Sequence, residues 1–453
     1  MHTRSATTDR FLPKYEDREA TFRRLSTEMS PFFVGPVPPQ DFLDYFLPST
    51  SCSTSEAVAK FRPEIFTPLV QSASEAEMFG NLVSSDALRT RVRLIQIFQV
   101  NSIRPYLQNL LLVNTSRMKD RIRHSKFTFS CQPDCSVYSR ESEHNFELNS
   151  ALIEFPIEFK LTADHDPFVV KPSPDLANEN PFMRVTSPGR HVAGQITAYA
   201  TSIMSAQYRT HTFLVLVFKT HARLIRWDRG GAVVTAPISY DQDPHLFDFF
   251  VRYDNASRAI RGHDCTVGLP TDVEAQNARK LADLADAKSL LTVTISDPGC
   301  SHESSRYVIL PPCARPDIPV GRWTRISIAY DVRRNKRVLM KDSWRVVLQG
   351  VIPEGEIYAK LHQNKVPNIP RCSCATDVGD DILHQSRTHK FVSKYGDPFI
   401  PTQFVPHRHY RLVLDTIGRK LQDFKRSWEM VNAVHASLIG EWTDCSQFEF
   451  GGV

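Results

Sequence analysis

The stretch KRVLMKDSWR, residues 336–345, places three apolar residues directly before Lys341 and an acidic residue, Asp342, directly after it. The preceding segment RISIAY (325–330) alternates apolar and polar side chains, which is typical of a β-strand with one buried face. The segment RRNK (333–336) supplies a turn between the two. We therefore predict strands joined by short turns, with Lys341 at the end of the last one.

A helix is predicted shortly after this strand, in PEGEIYAKLHQ (353–363). Glu354, Ile357, Tyr358 and Leu361 recur at a spacing that places them on one helix face. A glutamate on such a helix pairs with a strand lysine in protein kinases, and the pair orients the lysine toward nucleotide phosphates. Glu354 is the first candidate for this partner, and Glu356, on a different face, is the second.

These segments and several others resemble the fungal-type protein kinases, in which a kinase lobe follows a long N-terminal domain. The resemblance covers roughly residues 60–440 and is carried by the following motifs: GQITAY (194–199), ARLIRWDRGGAVV (222–234), RGHDCTVG (261–268), GRWTR (321–325), VLMKDSWR (338–345), EGEIYAKL (354–361), VPNIP (366–370) and HYRLVLDTIGRKLQDF (409–424).

The resemblance implies a serine/threonine-type kinase small lobe that binds ATP and Mg²⁺. It also implies that YRLVLDTIG leads into the hinge for the adenine base and that RKLQDF (419–424) begins the next helix. The implied nucleotide-binding residues are Gly321 in the phosphate loop, Lys341, Glu354, and Asp415, Ile417 and Gly418 at the hinge.

The sequence departs from the kinase pattern where phosphoryl transfer is concerned. Trp323 stands where close backbone approach to a phosphate favours a second glycine. Kinases need a catalytic aspartate and metal ligands on a second lobe. No His-Arg-Asp motif occurs in the sequence, HRHY (407–410) has His409 in place of that aspartate, and the Asp377 motif DVG precedes the hinge. We therefore expect a kinase truncated after its small lobe, a pseudokinase that binds ATP at most.

The segment ALIEFPIEFKL (151–161) predicts a second site. Its alternation predicts a strand on which Glu158 and Lys160, two residues apart, share a face. Pro156 within this strand indicates a sheet edge or a bulge. QPDC places Asp134 upstream, and a predicted helix downstream places Gln195 and Tyr199 one turn apart.

This order of residues is similar to the PD-(D/E)xK nucleases, in particular to their RecB-like branch. By that resemblance Asp134 and Glu158 hold Mg²⁺, for which carboxylate oxygens are suitable ligands. Lys160 positions or activates the attacking water, and Glu75 or Glu77 supplies a further ligand. The alternative is a remnant of the fold that serves as a scaffold or binding domain.

Together the two resemblances predict an α+β chain: an N-terminal α/β domain similar to restriction endonucleases, then a kinase-like lobe of antiparallel sheet plus helix. The predicted boundaries are a poorly ordered arm at 1–57, the α/β domain at 58–300, the small lobe with hinge at 301–440, and a tail at 441–453 that does not match the family. Within the α/β domain we predict helices over 75–100, 104–118 and 190–208, and a β-hairpin over 212–235.

Composition restricts the compartment more than the function. The nine cysteines form no C-x-x-C pair, which favours free thiols, and CQPDC and CSC lack the partners that a zinc site needs. No apolar run is long enough for a membrane span, and the first residues lack the apolar segment of a signal peptide. We therefore expect an intracellular protein of the cytoplasm or nucleus, not secreted.

Three functions remain open from the sequence. The first is nucleotide binding by the kinase-like lobe, with a protein as substrate or partner. The second is a metal-dependent nuclease or nucleic-acid-binding domain, since the net charge of +5 and the basic stretch RMKDRIRHSK (117–126) permit a nucleic acid partner. The third is a non-catalytic interaction protein.

Overall fold

The computed structural model describes most of the chain. The described residues are 17–49, 59, 61–82, 103, 106–121, 127, 129–141, 148–170, 180–281, 289–296, 304–310, 316–379, 382–396, 404–419 and 421–447.

Helices and strands occur throughout the described residues. The helices are α1 (Arg18–Met29), α2 (Pro39–Phe46), α3 (Thr67–Gln71), α4 (Glu75–Leu82), α5 (Ser187–Ala206), α6 (His245–Asn255), α7 (Asp272–Leu281), α8 (Glu354–Gln363), α9 (His389–Tyr395) and α10 (Ser427–Gln447). The strands are β1 (Phe33–Val37), β2 (Leu110–Asn114), β3 (Cys135–Ser139), β4 (Ile153–Lys160), β5 (Thr212–Phe218), β6 (Ala222–Asp228), β7 (Gly231–Thr235), β8 (Val267–Gly268), β9 (Leu291–Ser296), β10 (Ser304–Ile309), β11 (Arg325–Asp331), β12 (Lys336–Val346), β13 (Cys372–Asp377) and β14 (His407–Leu414).

The chain divides into two compact units, and each is built from more than one stretch of sequence. Unit 1 contains Met1–His263, Arg315–Pro319 and Lys390–Phe404. Unit 2 contains Asp264–Ala314, Val320–His389 and Val405–Val453. The α+β class is confirmed, because each unit combines helices with one large sheet.

The sheet of unit 1 has, among the described residues, the order β1-β7-β6-β5-β4-β3-β2. The pairs β1–β7 and β4–β5 are parallel and the others are antiparallel. A parallel pair requires a crossover connection, and α5 supplies it between β4 and β5. The strand β5, TFLVLVF, is buried along its whole length, as expected for a strand covered on both faces.

The N-terminal segment differs from its prediction. We predict a poorly ordered arm over residues 1–57 with no more than one short helix, but two helices, α1 and α2, and the strand β1 lie within this range. Phe22, Leu25 and Met29 recur at helical spacing and are buried, so α1 has an apolar face to pack. The strand β1 then pairs with β7 at the edge of the sheet. Residues 1–16 and 50–58 lie outside the described residues.

Two further predictions in unit 1 need correction. Within the helix predicted over 104–118, Leu110–Asn114 forms strand β2 instead, because a short apolar run fits either period and pairing with β3 decides between them. Pro156 does not mark an edge, because β4 lies between β3 and β5. The register between β3 and β4 shifts by one residue near Phe155, beside Pro156, which agrees with the bulge predicted as the alternative to an edge. Of the helix predicted over 75–100, the structure describes α4, and residues 83–100 lie outside the described range.

The sheet of unit 2 has, among the described residues, the order β13-β14-β12-β11-β10-β9-β8, and all its neighbours are antiparallel. Lys341 was predicted at the end of its strand, but β12 continues to Val346 because it pairs with β11 on one side and β14 on the other. Lys341 therefore lies mid-strand, opposite Ile326 of β11 and Leu412 of β14.

The end of the chain also differs from its prediction. We predict a helix that begins in RKLQDF, but a single 3-10 turn, Leu421–Asp423, forms there. The helix α10 begins at Ser427 and continues to Gln447, into the predicted tail. Residues 448–453 lie outside the described range. None of the helices in the described part of the chain has the length and apolar character needed to cross a membrane.

Close packing of α1 on α5 generates the first testable prediction. A Cβ added at Gly194 of α5 would lie 2.0 Å from the carbonyl oxygen of Phe22 in α1. Helix propensity alone favours alanine by about 1 kcal/mol. We expect the overlap with backbone to dominate, so that Gly194→Ala lowers the free energy of unfolding by ~1–3 kcal/mol in urea denaturation.

Gly418→Ala is the matched control, because no atom lies within 4 Å of a Cβ added at Gly418. Its unfolding free energy is expected to stay near that of the wild type. A Gly194→Ala protein as stable as the wild type would contradict the packing described for α1 and α5.

Candidate functional sites

Lys341 and Glu354 form an ion pair within unit 2. The Nζ of Lys341 donates to Glu354 Oε1 at 2.8 Å and to Oε2 at 2.6 Å. The side chains are 24% and 26% exposed, so the pair lies at the surface and remains accessible to a ligand. Of the two predicted candidates, Glu354 is therefore the one that pairs with Lys341. It is the first residue of α8.

Gly355 explains why α8 holds Glu354 in this position. A Cβ at Gly355 would lie 2.2 Å from the Cβ of Ala375 on β13 and 2.6 Å from the hydroxyl of Tyr410 on β14. The absence of a side chain lets the first turn of α8 rest directly on these strands. The N–H of Gly355 donates to the Tyr410 hydroxyl at 2.9 Å, which fixes the turn further.

The segment before β11 contains Gly321, the residue implied in the phosphate loop. Gly321 has a φ of +92°, and open space surrounds the position of a Cβ. Trp323 has a φ of +45°, an unusual value for a bulky residue, and its side chain is buried with the guanidinium of Arg325 over the ring at 5.6 Å. Arg322, between them, places its Nη2 3.8 Å from Glu354 Oε2. This segment therefore brings a further positive charge to the lysine–glutamate pair.

Asp415, Ile417 and Gly418, which the family resemblance implies as the hinge, lie beyond the end of β14. Asp415 accepts hydrogen bonds from Arg334 Nη1 at 2.8 Å and is 3.0 Å from Lys336 Nζ. Burial alone would raise the pKa of Asp415, but Lys336 and Arg334 outweigh it and the pKa is lowered. Since Lys341 pairs with Leu412, Asp415 lies about 10 Å further along the strand direction. Ile417 and Gly418 follow in irregular backbone.

The two motifs that mimic catalytic kinase residues have other roles. Asp377 of DVG accepts two hydrogen bonds of 2.7 Å from Arg345, one on each carboxylate oxygen. His409 of HRHY is buried within β14 and stacks on Trp344. Both residues therefore contribute to the sheet of unit 2.

In unit 1, five predicted residues converge into what we call the carboxylate cluster: Asp134, Glu158, Lys160, Gln195 and Tyr199. Lys160 Nζ donates to Glu158 Oε1 at 2.6 Å. Gln195 Nε2 donates to the same oxygen at 2.7 Å and to the Tyr199 hydroxyl at 2.8 Å. The backbone N–H of Asp134 lies 3.4 Å from Glu158 Oε2. Glu158 is thus the centre of the cluster.

The choice between Glu75 and Glu77 follows from their contacts. Glu75 Oε1 accepts from the N–H of Leu161, directly after Lys160, at 3.2 Å. Glu77 instead accepts from the N–H of Ala73 at 2.7 Å, at the start of its own helix. Glu75 therefore lies beside the carboxylate cluster. The hydrogen bond of Glu77 to Ala73 does not bring Glu77 to that cluster.

The charges of the carboxylate cluster are poorly compensated. Burial and the nearby charge of Glu158 raise the pKa of Asp134 to about 8. Burial alone would lower the pKa of Lys160, but Glu158 and Asp134 outweigh it and the pKa is raised. The Oε1 of Gln195 is buried and accepts no hydrogen bond from any described residue. Carboxylates forced together and an unused acceptor fit a hydrated divalent cation.

Sequence reasoning missed a buried group of charged and imidazole side chains in unit 2. Among the described residues, Asp264, His384 and His409 offer ligand atoms that all lie within 4.8 Å of one another; we call them the histidine cluster. Asp342 and Arg411 contact it. These residues are far apart in sequence, so no local spacing could have indicated the group.

A family model described as fungal protein kinase matches residues 185–441, which is more than half of the 453 residues. No curated protein and no solved structure matches the chain.

The raised pKa of Asp134 generates a stability prediction. An unfolded aspartate ionises near pH 4, whereas Asp134 in the folded chain stays protonated until about pH 8. Between these values folding takes up a proton, so this group makes the protein less stable as the pH rises. We expect Asp134→Asn to be more stable than the wild type at pH 8 in EDTA, and this advantage to shrink toward pH 4, in urea denaturation.

Asp164→Asn is the control, because Asp164 is exposed in the same unit. Asp164→Asn is expected to show no gain in the unfolding free energy at pH 8 comparable with that of Asp134→Asn. An Asp134→Asn protein that is less stable than the wild type at pH 8 would contradict the electrostatics described for the cluster.

Proposed function

The chain belongs to the fungal protein kinase family, and we propose that unit 2 binds ATP with Mg²⁺ at the surface formed by Lys341 and Glu354. The observation that carries this proposal is the ion pair itself, with Nζ–Oε distances of 2.6 and 2.8 Å. In kinases the same pair must be formed before the lysine can hold the nucleotide phosphates.

Each residue of the surface has a role that follows from its position. The ammonium of Lys341 faces the phosphates as a point charge, and Glu354 holds it in place. Gly321 lies in open space, where its backbone can approach a phosphate closely. The backbone of Asp415, Ile417 and Gly418 is the hinge for the base. Mg²⁺ supplies charge neutralisation between phosphate oxygens when bound.

The proposal is limited to nucleotide binding. Phosphoryl transfer requires an aspartate beside the substrate hydroxyl, and the sequence has no His-Arg-Asp motif. Asp377 and His409 are engaged within the sheet by Arg345 and Trp344. A protein that binds unit 2 in its nucleotide-loaded state is therefore the proposed partner, rather than a phosphorylated substrate of this chain alone.

We expect Mg·ATP to raise the melting temperature of the wild type. Lys341→Ala removes a charge-assisted contact to phosphate, worth about 1.5–3 kcal/mol, and is expected to weaken binding by roughly 10- to 100-fold. Lys360→Ala, an exposed lysine at the other end of α8, is the control and should bind as the wild type does. The absence of a shift in the wild type, or equal shifts in both variants, would count against the proposal.

A second candidate function belongs to unit 1: cation-dependent hydrolysis of phosphodiester bonds in nucleic acid. It is favoured by the convergence of Asp134, Glu158, Lys160 and Gln195 from β4, α5 and the start of β3. The strand pair β4–β5 with its α5 crossover presents these side chains together. An E-x-K pattern that arose by chance would not require its glutamate and lysine to share a hydrogen-bonded cluster with residues from other segments. Glu158 and Lys160 do share such a cluster.

Asp134 and Glu158 would hold the cation through carboxylate oxygens, with Glu75 beside them. The cation supplies a water of lowered pKa and stabilises charge on the phosphate. Lys160, held by Glu158 through a 2.6 Å hydrogen bond, would orient the attacking water beside the phosphate. Gln195 orients Glu158, and the Tyr199 hydroxyl holds Gln195 while donating to the Gln132 carbonyl at 3.0 Å.

Incubation with supercoiled plasmid and Mg²⁺ or Mn²⁺ tests this function. We expect nicked or linear DNA with the wild type and intact DNA with Glu158→Ala, which removes the central residue of the cluster. Glu141→Ala, an exposed position after β3, should cleave as the wild type does. Plasmid that stays intact with both metals, or cleavage that survives Glu158→Ala, would remove the catalytic role.

A further inference from the structure

We infer that the histidine cluster of unit 2 is a binding site for a divalent transition-metal ion of the zinc class. Asp264, His384 and His409 are 5%, 7% and 3% exposed. They come from three separate segments. Asp264 precedes β8, His384 ends a short 3-10 helix at Ile382–His384, and His409 lies within β14. A buried carboxylate with two imidazoles is a donor set that suits zinc.

The spacing of the donor atoms fits one ion. The Nδ1 atoms of His384 and His409 are 3.0 Å apart. Asp264 Oδ2 lies 3.9 Å from His409 Nδ1, and one ligand atom from each of the three residues lies within 4.8 Å of the other two. Tetrahedral ligands at about 2.0–2.1 Å from an ion are about 3.3 Å from one another. The separations from His409 Nδ1 to His384 Nδ1 and to Asp264 Oδ2, 3.0 and 3.9 Å, lie on either side of this value, which is compatible with one ion bound by the three residues.

Asp342 prepares His409 to act as a ligand. His409 Nε2 is 3.0 Å from Asp342 Oδ1. Asp342 Oδ2 also accepts from Arg411 Nε at 2.8 Å, and a carboxylate paired with a guanidinium is an acceptor for the N–H of His409. With its proton on Nε2, His409 turns the Nδ1 lone pair toward His384 and Asp264. Metal-binding histidines commonly donate their other N–H to a carboxylate in this way.

Arginines in the site set its charge. Arg411 Nη2 donates to Asp264 Oδ2 at 2.6 Å and its Nε donates to Asp342 Oδ2 at 2.8 Å. Arg325 lies directly opposite Asp342 in the pairing of β11 with β12. Two carboxylates thus face two guanidiniums, and we expect reversible binding rather than the very tight binding of a thiolate site. The ion would tie the Asp264 and His384 segments to β14, which also pairs with the Lys341 strand.

Titration of the full chain with Zn²⁺ after chelator treatment tests the site. All proteins carry Glu158→Gln, so that binding in the carboxylate cluster of unit 1 does not contribute. We expect one equivalent of saturable Zn²⁺ and a raised melting temperature. We expect both to be lost in His384→Gln and Asp264→Asn, and to be retained in His362→Gln, an exposed histidine of α8. Asp342→Asn should weaken binding by roughly 10- to 100-fold.

Co²⁺ absorption of the Glu158→Gln protein keeps the test decisive if a buried variant fails to fold by circular dichroism. Tetrahedral bands without a thiolate charge-transfer band support nitrogen and oxygen ligands. A thiolate band would assign the metal to cysteines and overturn the proposal. So would the absence of saturable Zn²⁺ binding, or equal binding in His384→Gln and His362→Gln. In that case the cluster is a hydrogen-bonded network only.

Discussion

The surface of unit 2 that we propose as a nucleotide site depends on one ion pair, Lys341 with Glu354. A pair that is about one-quarter exposed contributes little stability by itself, so the surrounding structure must hold it. The register of β12 between β11 and β14 fixes the lysine. Gly355, resting on Ala375 and under the Tyr410 hydroxyl, fixes the glutamate. Backbone packing thus determines where the charge of Lys341 lies, and the proposed nucleotide would bind to it there.

In the carboxylate cluster of unit 1, by contrast, the charged side chains are buried. Glu158 is buried and takes hydrogen bonds from Lys160 and Gln195, while Asp134 is forced to share the same space. Two carboxylates in a buried site make the folded state less stable at neutral pH unless a cation or proton compensates them. Electrostatic repulsion between buried carboxylates is common at functional sites. Here it occurs on a strand, β4, that is otherwise well packed.

The sequence was informative where local spacing carries the geometry. Lys341 and Glu354, or Glu158 and Lys160, follow from strand alternation and helical periodicity joined to a family pattern. It failed where partners come from distant segments. β2 was mistaken for a helix because its pairing with β3 lies outside any local window. The start of the chain, rich in Pro, Ser and Thr, favoured a poorly ordered arm over α1 and β1, and the histidine cluster joins residues from three separate segments, so neither could be predicted from local spacing.

The most direct test of the account is to identify the lysine that faces the phosphates of a bound nucleotide. An acyl-phosphate derivative of ATP transfers its acyl group to such a lysine, and peptide mass spectrometry locates the modified residue. The account predicts acylation of Lys341, prevented by excess Mg·ATP and reduced in Glu354→Gln, where the lysine is no longer held. Acylation distributed over exposed lysines such as Lys360, unaffected by ATP, would contradict it.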